Sequence, residues 1–267
     1  MPDRGKGQQK TTRYSALLDQ LTRSGPASVS ELSRQLGVSE VSIRRDLEHL
    51  EQLGLLRRTH GGAAAITRPG QVSVYDARLL LNTRAKACIG KVAAALVRPG
   101  DTILLDSGTT VLEIARHISG SLLETGGLTI VTRSLVIASE LRLHRHVRLI
   151  VLGGLYVHDF DDFVGAQVEH ALATIHVRTL FMGTDGLSAE RGLTTDNVLE
   201  ARLYRMMANV AERAVVVTDS SKIGLDKLEA TLAFDEIHTL ITDAGASDDF
   251  VAMLREKGVE VILVPAR

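Results

Sequence analysis

Two groups of residues in this chain of 267 have types and spacings that could do chemistry. The first is Asp106-Ser107-Gly108-Thr109-Thr110, which follows the apolar run Thr102–Leu105 and precedes a helical pattern. Glycine lets backbone N–H groups turn toward a ligand, the hydroxyls add donors and a helix N-terminus favours an anion, so the chemistry is phosphate binding. The same residues also suit an ordinary strand-to-helix turn with a capping threonine. The second group is Arg44-Arg45, inside Gly37-Val38-Ser39-Glu40-Val41-Ser42-Ile43-Arg44-Arg45-Asp46-Leu47. As a helix starting at Ser39, this stretch gathers Ile43, Leu47 and Leu50 on one face and sends Val41 and Arg45 away, with Ser42 and Arg44 beside them. A guanidinium presented there can pair bidentately with guanine. A solvated face with Asp46 and Glu48 as partners is the plainer reading.

The arginines need a small helical scaffold. Tyr14, Leu17, Leu18 and Leu21 fit one helical face, stopped by Gly25-Pro26. Val29, Leu32 and Leu36 fit a second helix opened by the capping box Ser28-x-x-Glu31. Only Gly37 and Val38 separate it from the cap Ser39, which is the helix-turn-helix layout. Gly54 to Gly62 then reads as a strand, a glycine turn and a return, forming a wing. The candidate DNA contacts are Ser28, Ser39, Glu40, Val41, Ser42, Arg44 and Arg45, with Arg57, Arg58 and His60 from the wing.

The phosphate turn needs a sheet edge. Beyond Thr67-Arg68-Pro69-Gly70, a helix over Leu79 to Val97 leads to Pro99-Gly100. Apolar runs follow at Thr102–Leu105, Leu128–Thr132, Val147–Leu152, Arg178–Met182, Ala214–Thr218, Thr239–Thr242 and Val259–Val264. Helical patterns fill gaps at Val111–Ile118, Leu135–Leu141, Gly165–Ala173, Val198–Val210 and Asp248–Lys257. The pattern predicts a larger α/β domain, a mostly parallel sheet covered by helices on both faces, behind a small all-α winged helix-turn-helix domain. The expected boundaries are a disordered tail over 1–11, the head over 12–66, a linker over 67–75 and the α/β domain over 76–267. Ligands of open parallel sheets bind at the carboxyl ends of the strands. Candidate effector contacts are therefore Asp106, Ser107, Gly108, Thr109 and Thr110; Thr132, Arg133 and Ser134; Gly153 and Gly154; Gly183, Asp185 and Gly186; and Lys222 after Asp219-Ser220-Ser221. Lys222 would face the phosphate and Asp185 sugar hydroxyls.

Residues 1–60 hold ten Lys/Arg against seven Asp/Glu, a charge of +3, and the remainder holds twenty-one against twenty-five, a charge of −4. A basic head on an acidic body fits DNA binding by the head. Few aromatics and no Trp argue against a stacking platform for single strands. Cys88 is the single cysteine, expected in a helix core, and no apolar run is long enough to cross a membrane. A cytoplasmic protein without membrane contact is expected. His144-x-His146 lacks a third ligand at metal-binding spacing, so no metal, and no cofactor, is expected. Asp159, Asp161 and Asp162 read as an exposed acidic loop, and Glu200 with Arg202 and Arg205 as helix-surface pairs.

Ser28-Val29 with Glu31-Leu32, Gly37-Val38-Ser39, Ile43-Arg44-Arg45-Asp46-Leu47, Leu50-Glu51, Gly54-Leu55-Leu56-Arg57-Arg58 and His60-Gly61-Gly62-Ala63 resemble the DeoR family of bacterial transcription repressors. With the loops of the α/β part, the resemblance covers about residues 12 to 243. It implies an effector domain related in fold to sugar-phosphate isomerases, a phosphorylated sugar as inducer, and Asp106 to Thr110 as the phosphate loop with Lys222 nearby. Lys86 matches the lysine this family places on the helix before the first strand. Ser42 stands where the family usually has Thr. Arg133 stands where it commonly has Asn, a change bearing on the charge of the ligand accepted.

The expectation is a repressor of carbohydrate-metabolism genes that binds double-stranded operator DNA as a homo-oligomer, dimer or tetramer, and leaves it when a phosphorylated sugar binds. Two rivals stand beside it. One is a sugar-phosphate isomerase carrying a DNA-binding head, with Asp106, Asp185 and Asp219 as candidate bases. The other is a body that serves as an oligomerisation scaffold without a ligand. Since a fold does not carry a function, no catalytic residue is assigned.

Overall fold

A computed structural model describes residues 13–14, 16–18, 20–21, 24–52, 55–65, 73–125 and 127–265. The chain divides into two compact units, Met1–Asn82 and Thr83–Arg267. The expected tail and residues 67–72 of the expected linker lie outside the described residues.

In the first unit, strand β1 (Ala27–Ser28) leads into helix α1 (Val29–Leu36), followed by helix α2 (Glu40–Gln52) and strands β2 (Leu56–Thr59) and β3 (Gly62–Ala65). Tyr14, Leu17, Leu18 and Leu21 are buried against Val29, Leu32, Ile43, Leu47 and Leu50, so the apolar spacings point at one shared core. The strands form an antiparallel sheet in the order β1-β3-β2. The head expected as all-α thus carries a small sheet, and β2–β3 is the wing. A further helix α3 (Val74–Leu79) belongs to this unit, capped reciprocally by Ser73 and Asp76. The expected single helix from Leu79 to Val97 is therefore two helices. The chain breaks at Asn82 (φ 53°), and helix α4 (Thr83–Ala94) begins the second unit.

The second unit is built on seven parallel strands. They are β4 (Thr102–Leu105), β5 (Thr129–Thr132), β6 (Arg148–Val151), β9 (Val177–Met182), β12 (Ala211–Val217), β14 (Thr239–Asp243) and β15 (Glu260–Val264). They lie in the order β15-β14-β12-β9-β4-β5-β6, and each corresponds to an expected apolar run. Between them run helices α5 (Thr109–His117), α6 (Gly120–Glu124), α7 (Leu135–Leu141), α8 (Ala166–Leu172), α9 (Val198–Asn209) and α10 (Asp248–Glu256). Leu104 packs with Val168 and Leu172 of α8, Leu203 and Met207 of α9 and Leu254 of α10 on one face. On the other, α4 and α5 touch so closely that a Cβ at Gly90 would lie 2.5 Å from the Cβ of Glu113.

Three short additions escape the sequence pattern. Strands β7 (Leu155–Val157) and β8 (Asp162–Val164) form a hairpin after β6, and β10 (Gly186–Ser188) and β11 (Gly192–Thr195) form another after β9, extended by β13 (Glu229–Ala230). Following parallel strands as they do, both hairpins rise from the carboxyl edge.

Candidate functional site

In the head, the presented surface follows from caps. Ser28 Oγ accepts the Glu31 N–H (3.2 Å) while the Glu31 carboxylate accepts the Ser28 N–H (2.8 Å), which fixes the start of α1. Gly37 ends that helix in the left-handed region (φ 64°), and the N–H of Ser42 reaches Ser39 Oγ at 3.3 Å to start α2. Ile43, Leu47 and Leu50 are fully buried, so the opposite face must point outward. That face carries Glu40, Val41 (69% exposed), Arg44 and Arg45, with Ser42 half-buried beside them. Arg44 pairs with Glu40 one turn earlier at 2.9 Å, an exposed pair of little energetic weight. Asp46, expected as a solvated partner of these arginines, is instead buried and bound by Arg13 Nε. It holds α2 against the first helical segment. Arg57 and His60 of the wing are exposed, whereas Arg58 is a strut. Its backbone N–H donates to Glu51 (2.8 Å), and its side chain donates from Nε to the Gly62 carbonyl (3.2 Å) and from Nη1 to the Arg44 carbonyl of α2 (3.5 Å), joining wing to helix.

In the body, the chain runs outward from β4 through β5 and β6, then returns to β9 on the other side of β4. The strand order reverses between β4 and β9, which is where open α/β sheets open a crevice at their carboxyl edge. The loop after β4 enters that crevice, with the Asp106 N–H bonded to the Phe181 carbonyl of β9 at 3.0 Å. Gly108 (φ 120°) occupies the N-cap of α5 with no side-chain cap. Thr109 and Thr110 form its first turn. Because β9 and β12 run parallel to β4, Gly183, Asp185 and the Asp219-to-Lys222 turn lie at the same edge. Gly90 against Glu113 aligns α4 with α5, and one turn back from each lie Lys86, buried, and Thr109.

Several candidates have duties inside the protein. Asp219 caps its own turn through the Ser221 N–H (3.1 Å), and Ser220 turns its hydroxyl to Asp243 (2.9 Å). Asp185 accepts the Thr195 hydroxyl at 2.9 Å. Thr132 Oγ1 accepts the Ser134 N–H, and Ser134 caps α7 through the Ile137 N–H. Gly154 packs where a Cβ would meet the Val164 carbonyl at 2.5 Å, Gly186 opens β10 where a Cβ would meet the Leu225 carbonyl at 2.6 Å, and Gly153 lies in the loop before β7.

The largest difference from expectation is Arg133. Its side chain is fully buried (0% exposed) and does not present charge to a ligand. Nε donates to Asp106 at 2.9 Å, Nη1 to Asp162 at 2.6 Å and Nη2 to Ser107 (2.9 Å) and Glu200 (3.3 Å), with the Phe163 carbonyl 3.5 Å from Nη1. The ring of Tyr204 lies 5.9 Å away. Asp162 is therefore no exposed loop residue and Glu200 no helix-surface residue, since both are buried against this guanidinium. Arg202 and Arg205 bind elsewhere, to Glu169 and to the Ala230 carbonyl. Burial pushes the Asp106 carboxyl up to about 6 despite Arg133 beside it, and Glu200 up to about 8 for the same reason. One oxygen each of Asp106 and Asp162 is buried without a hydrogen-bond partner among the described residues. Asp106 thus sits beneath the loop rather than on it, which removes it as a substrate-facing base. His144 and His146 lie in the loop before β6, and Cys88 is only half-buried.

Residues 13–69 match the DeoR-like helix-turn-helix domain and residues 81–244 the DeoR C-terminal sensor domain. The chain is 38% identical over 254 residues to a protein of Escherichia coli O157:H7 assigned as repressor of the aga operon, covering 94% of this chain and 93% of that protein. It is 30% identical to the transcriptional repressor GlcR of Bacillus subtilis, covering 94% and 95%. Among solved structures, ribose 5-phosphate isomerase A of Methanocaldococcus jannaschii superposes with a TM-score of 0.39 at 19% identity, over 53% of this chain and 55% of that one. With the head's presented helix and the body's parallel sheet both accounted for, the chain belongs to the DeoR family of bacterial transcription repressors.

Proposed function

We propose that this regulator represses genes of carbohydrate metabolism by inserting α2 into the major groove of a double-stranded operator, and that a phosphorylated sugar releases it. Homo-oligomers suit such heads, because paired half-sites one helical turn apart match a two-fold protein. The observation that carries the effector reading is the uncapped start of α5 behind Gly108 at the strand-order reversal. The first N–H groups of a helix have no partner within it, and with the positive end of the helix dipole they favour a phosphate there. Lys222 at the same edge supplies a formal positive charge, and Asp185 an acceptor for sugar hydroxyls. The relatives' names, a repressor of the aga operon and GlcR, are consistent with this reading.

A thermal-shift screen of the full chain tests it. A ligand that binds only the folded state at about a hundred times its Kd stabilises by about 2.7 kcal/mol. For a body of this size that is roughly 5–10 °C. At least one hexose or pentose phosphate is expected to give such a rise, its unphosphorylated parent none, and Lys222→Ala with Thr109→Val should remove it. A panel of phosphorylated sugars that leaves the midpoint unmoved at every concentration would sink the effector reading.

A further inference from the structure

Arg133 is surrounded by groups from three separate stretches of chain. Asp106 and Ser107 come from the loop after β4, Asp162 from the first residue of β8, and Glu200 from the first turn of α9. We propose that Arg133 is the positioning residue of this edge, tying the loop, the β7–β8 hairpin and the start of α9 into one unit, so that a ligand on the loop also orders the hairpin. The first half of the proposal stands on the geometry alone, and the second rests on the phosphate reading above.

The guanidinium suits this task because its five N–H donors lie in one rigid plane. Here they meet two carboxylates, a hydroxyl, a carbonyl and a third carboxylate at distances of 2.6–3.5 Å. The backbone ladder between β4 and β5 ends at Leu105 and Thr132, one residue short of Asp106 and Arg133, and beyond it each side has its own backbone bonds. The hairpin is fastened to residues 133–135 through Phe163 N–H to the Arg133 carbonyl (3.0 Å) and Leu135 N–H to the Asp161 carbonyl (3.0 Å). The loop is fastened to β9 through the Asp106 N–H. The Arg133 side chain spans from one side to the other. A lysine keeps the charge but has three donors on one atom and cannot span the same set.

Hydrogen exchange on the full chain, with folding checked by circular dichroism, reads the coupling. Asp162→Asn is expected to speed exchange in residues 155–164 and also, across the guanidinium, in residues 106–110 and 198–201, by about tenfold. In an Arg133→Lys background the same substitution should affect the hairpin only. If that background does not fold, Glu200→Gln takes its place: it should loosen 106–110 as Asp162→Asn does, while Glu212→Gln, whose pair with His176 is exposed, leaves all three segments unchanged. An unchanged 106–110 loop in Asp162→Asn, or an undiminished effect of that substitution in the Arg133→Lys background, overturns the proposal. In a second arm, inorganic phosphate should protect 106–110 in both backgrounds and 155–164 only where Arg133 is intact. Loop protection without hairpin protection in the unsubstituted protein overturns the ordering half. Protection nowhere counts against the phosphate reading, and the substitution arm still decides whether Arg133 couples the elements.

Discussion

Arg44→Ala combined with Arg45→Ala is expected to abolish specific operator binding while leaving the fold intact. Both side chains are exposed on the outward face of α2, and the fully buried Ile43, Leu47 and Leu50 behind them are untouched. Alanine is also a better helix former than arginine, so the scaffold loses nothing locally. A bidentate arginine–guanine pair contributes about 1–3 kcal/mol of discrimination. Two such pairs therefore place the loss at about 2–6 kcal/mol, or roughly thirtyfold and upward in Kd. Gel-shift titration at fixed salt reads it. Unchanged affinity for the specific duplex would show that these arginines face solvent only, and a weakening equal on specific and random DNA would show that they touch phosphates alone. Arg58→Ala provides the contrast. Since the Arg58 side chain reaches both the Gly62 carbonyl of the wing and the Arg44 carbonyl of α2, its removal should lower the stability of the head as well as its affinity.

Arg133→Met should destabilise the body by about 3–5 kcal/mol, the usual penalty for removing one partner from a buried ion pair and leaving the other charge behind. For a unit of this size the unfolding midpoint would fall by roughly 6–20 °C. The loss should also depend on pH in a definite sense. Asp106 and Glu200 are raised in the folded state, to about 6 and about 8, above their ordinary values. The folded protein therefore binds protons more tightly than the unfolded chain. Their contribution to stability is fully present below about pH 4 and is lost as pH rises through 6 and then 8. Arg133 opposes that loss by stabilising the charged carboxylates. Without it the penalty should grow with pH, so the gap between variant and unsubstituted protein widens from about pH 5 to about pH 8. A gap that narrowed over this range would mean that the carboxylates do not depend on Arg133 for their charge balance.

Much of the architecture could be read from residue order because its signals are local. Parallel strands buried on both faces appear as continuous apolar runs, and Thr102-Ile103-Leu104-Leu105 has the same limits as the strand it forms. The helix-turn-helix announced itself through Ser28-x-x-Glu31 and Ser39, and both caps are made. The start of α3 had a similar sign in Ser73-x-x-Asp76, which the linker-like composition just before it obscured. The hairpins were invisible because strands of three or four residues carry too little alternation to stand out from loops. The network around Arg133 was beyond reach for a different reason. Its partners lie 27, 29 and 67 residues away, and only the stacking order of the sheet brings them together. Asp162 and Glu200 consequently looked like surface charges, and Arg133 like a ligand contact.

The link between the two units is open to one measurement. Fluorescence anisotropy of the full chain on a duplex it selects from random sequence, titrated with hexose and pentose phosphates beside the unphosphorylated sugars, reads DNA release directly. A phosphorylated sugar is expected to weaken DNA binding, its parent sugar to do nothing, and Lys222→Ala with Thr109→Val to bind the duplex normally but ignore the ligand. Release by an unphosphorylated sugar, or an unaltered response in that double variant, would contradict an anion site at the start of α5 as the switch.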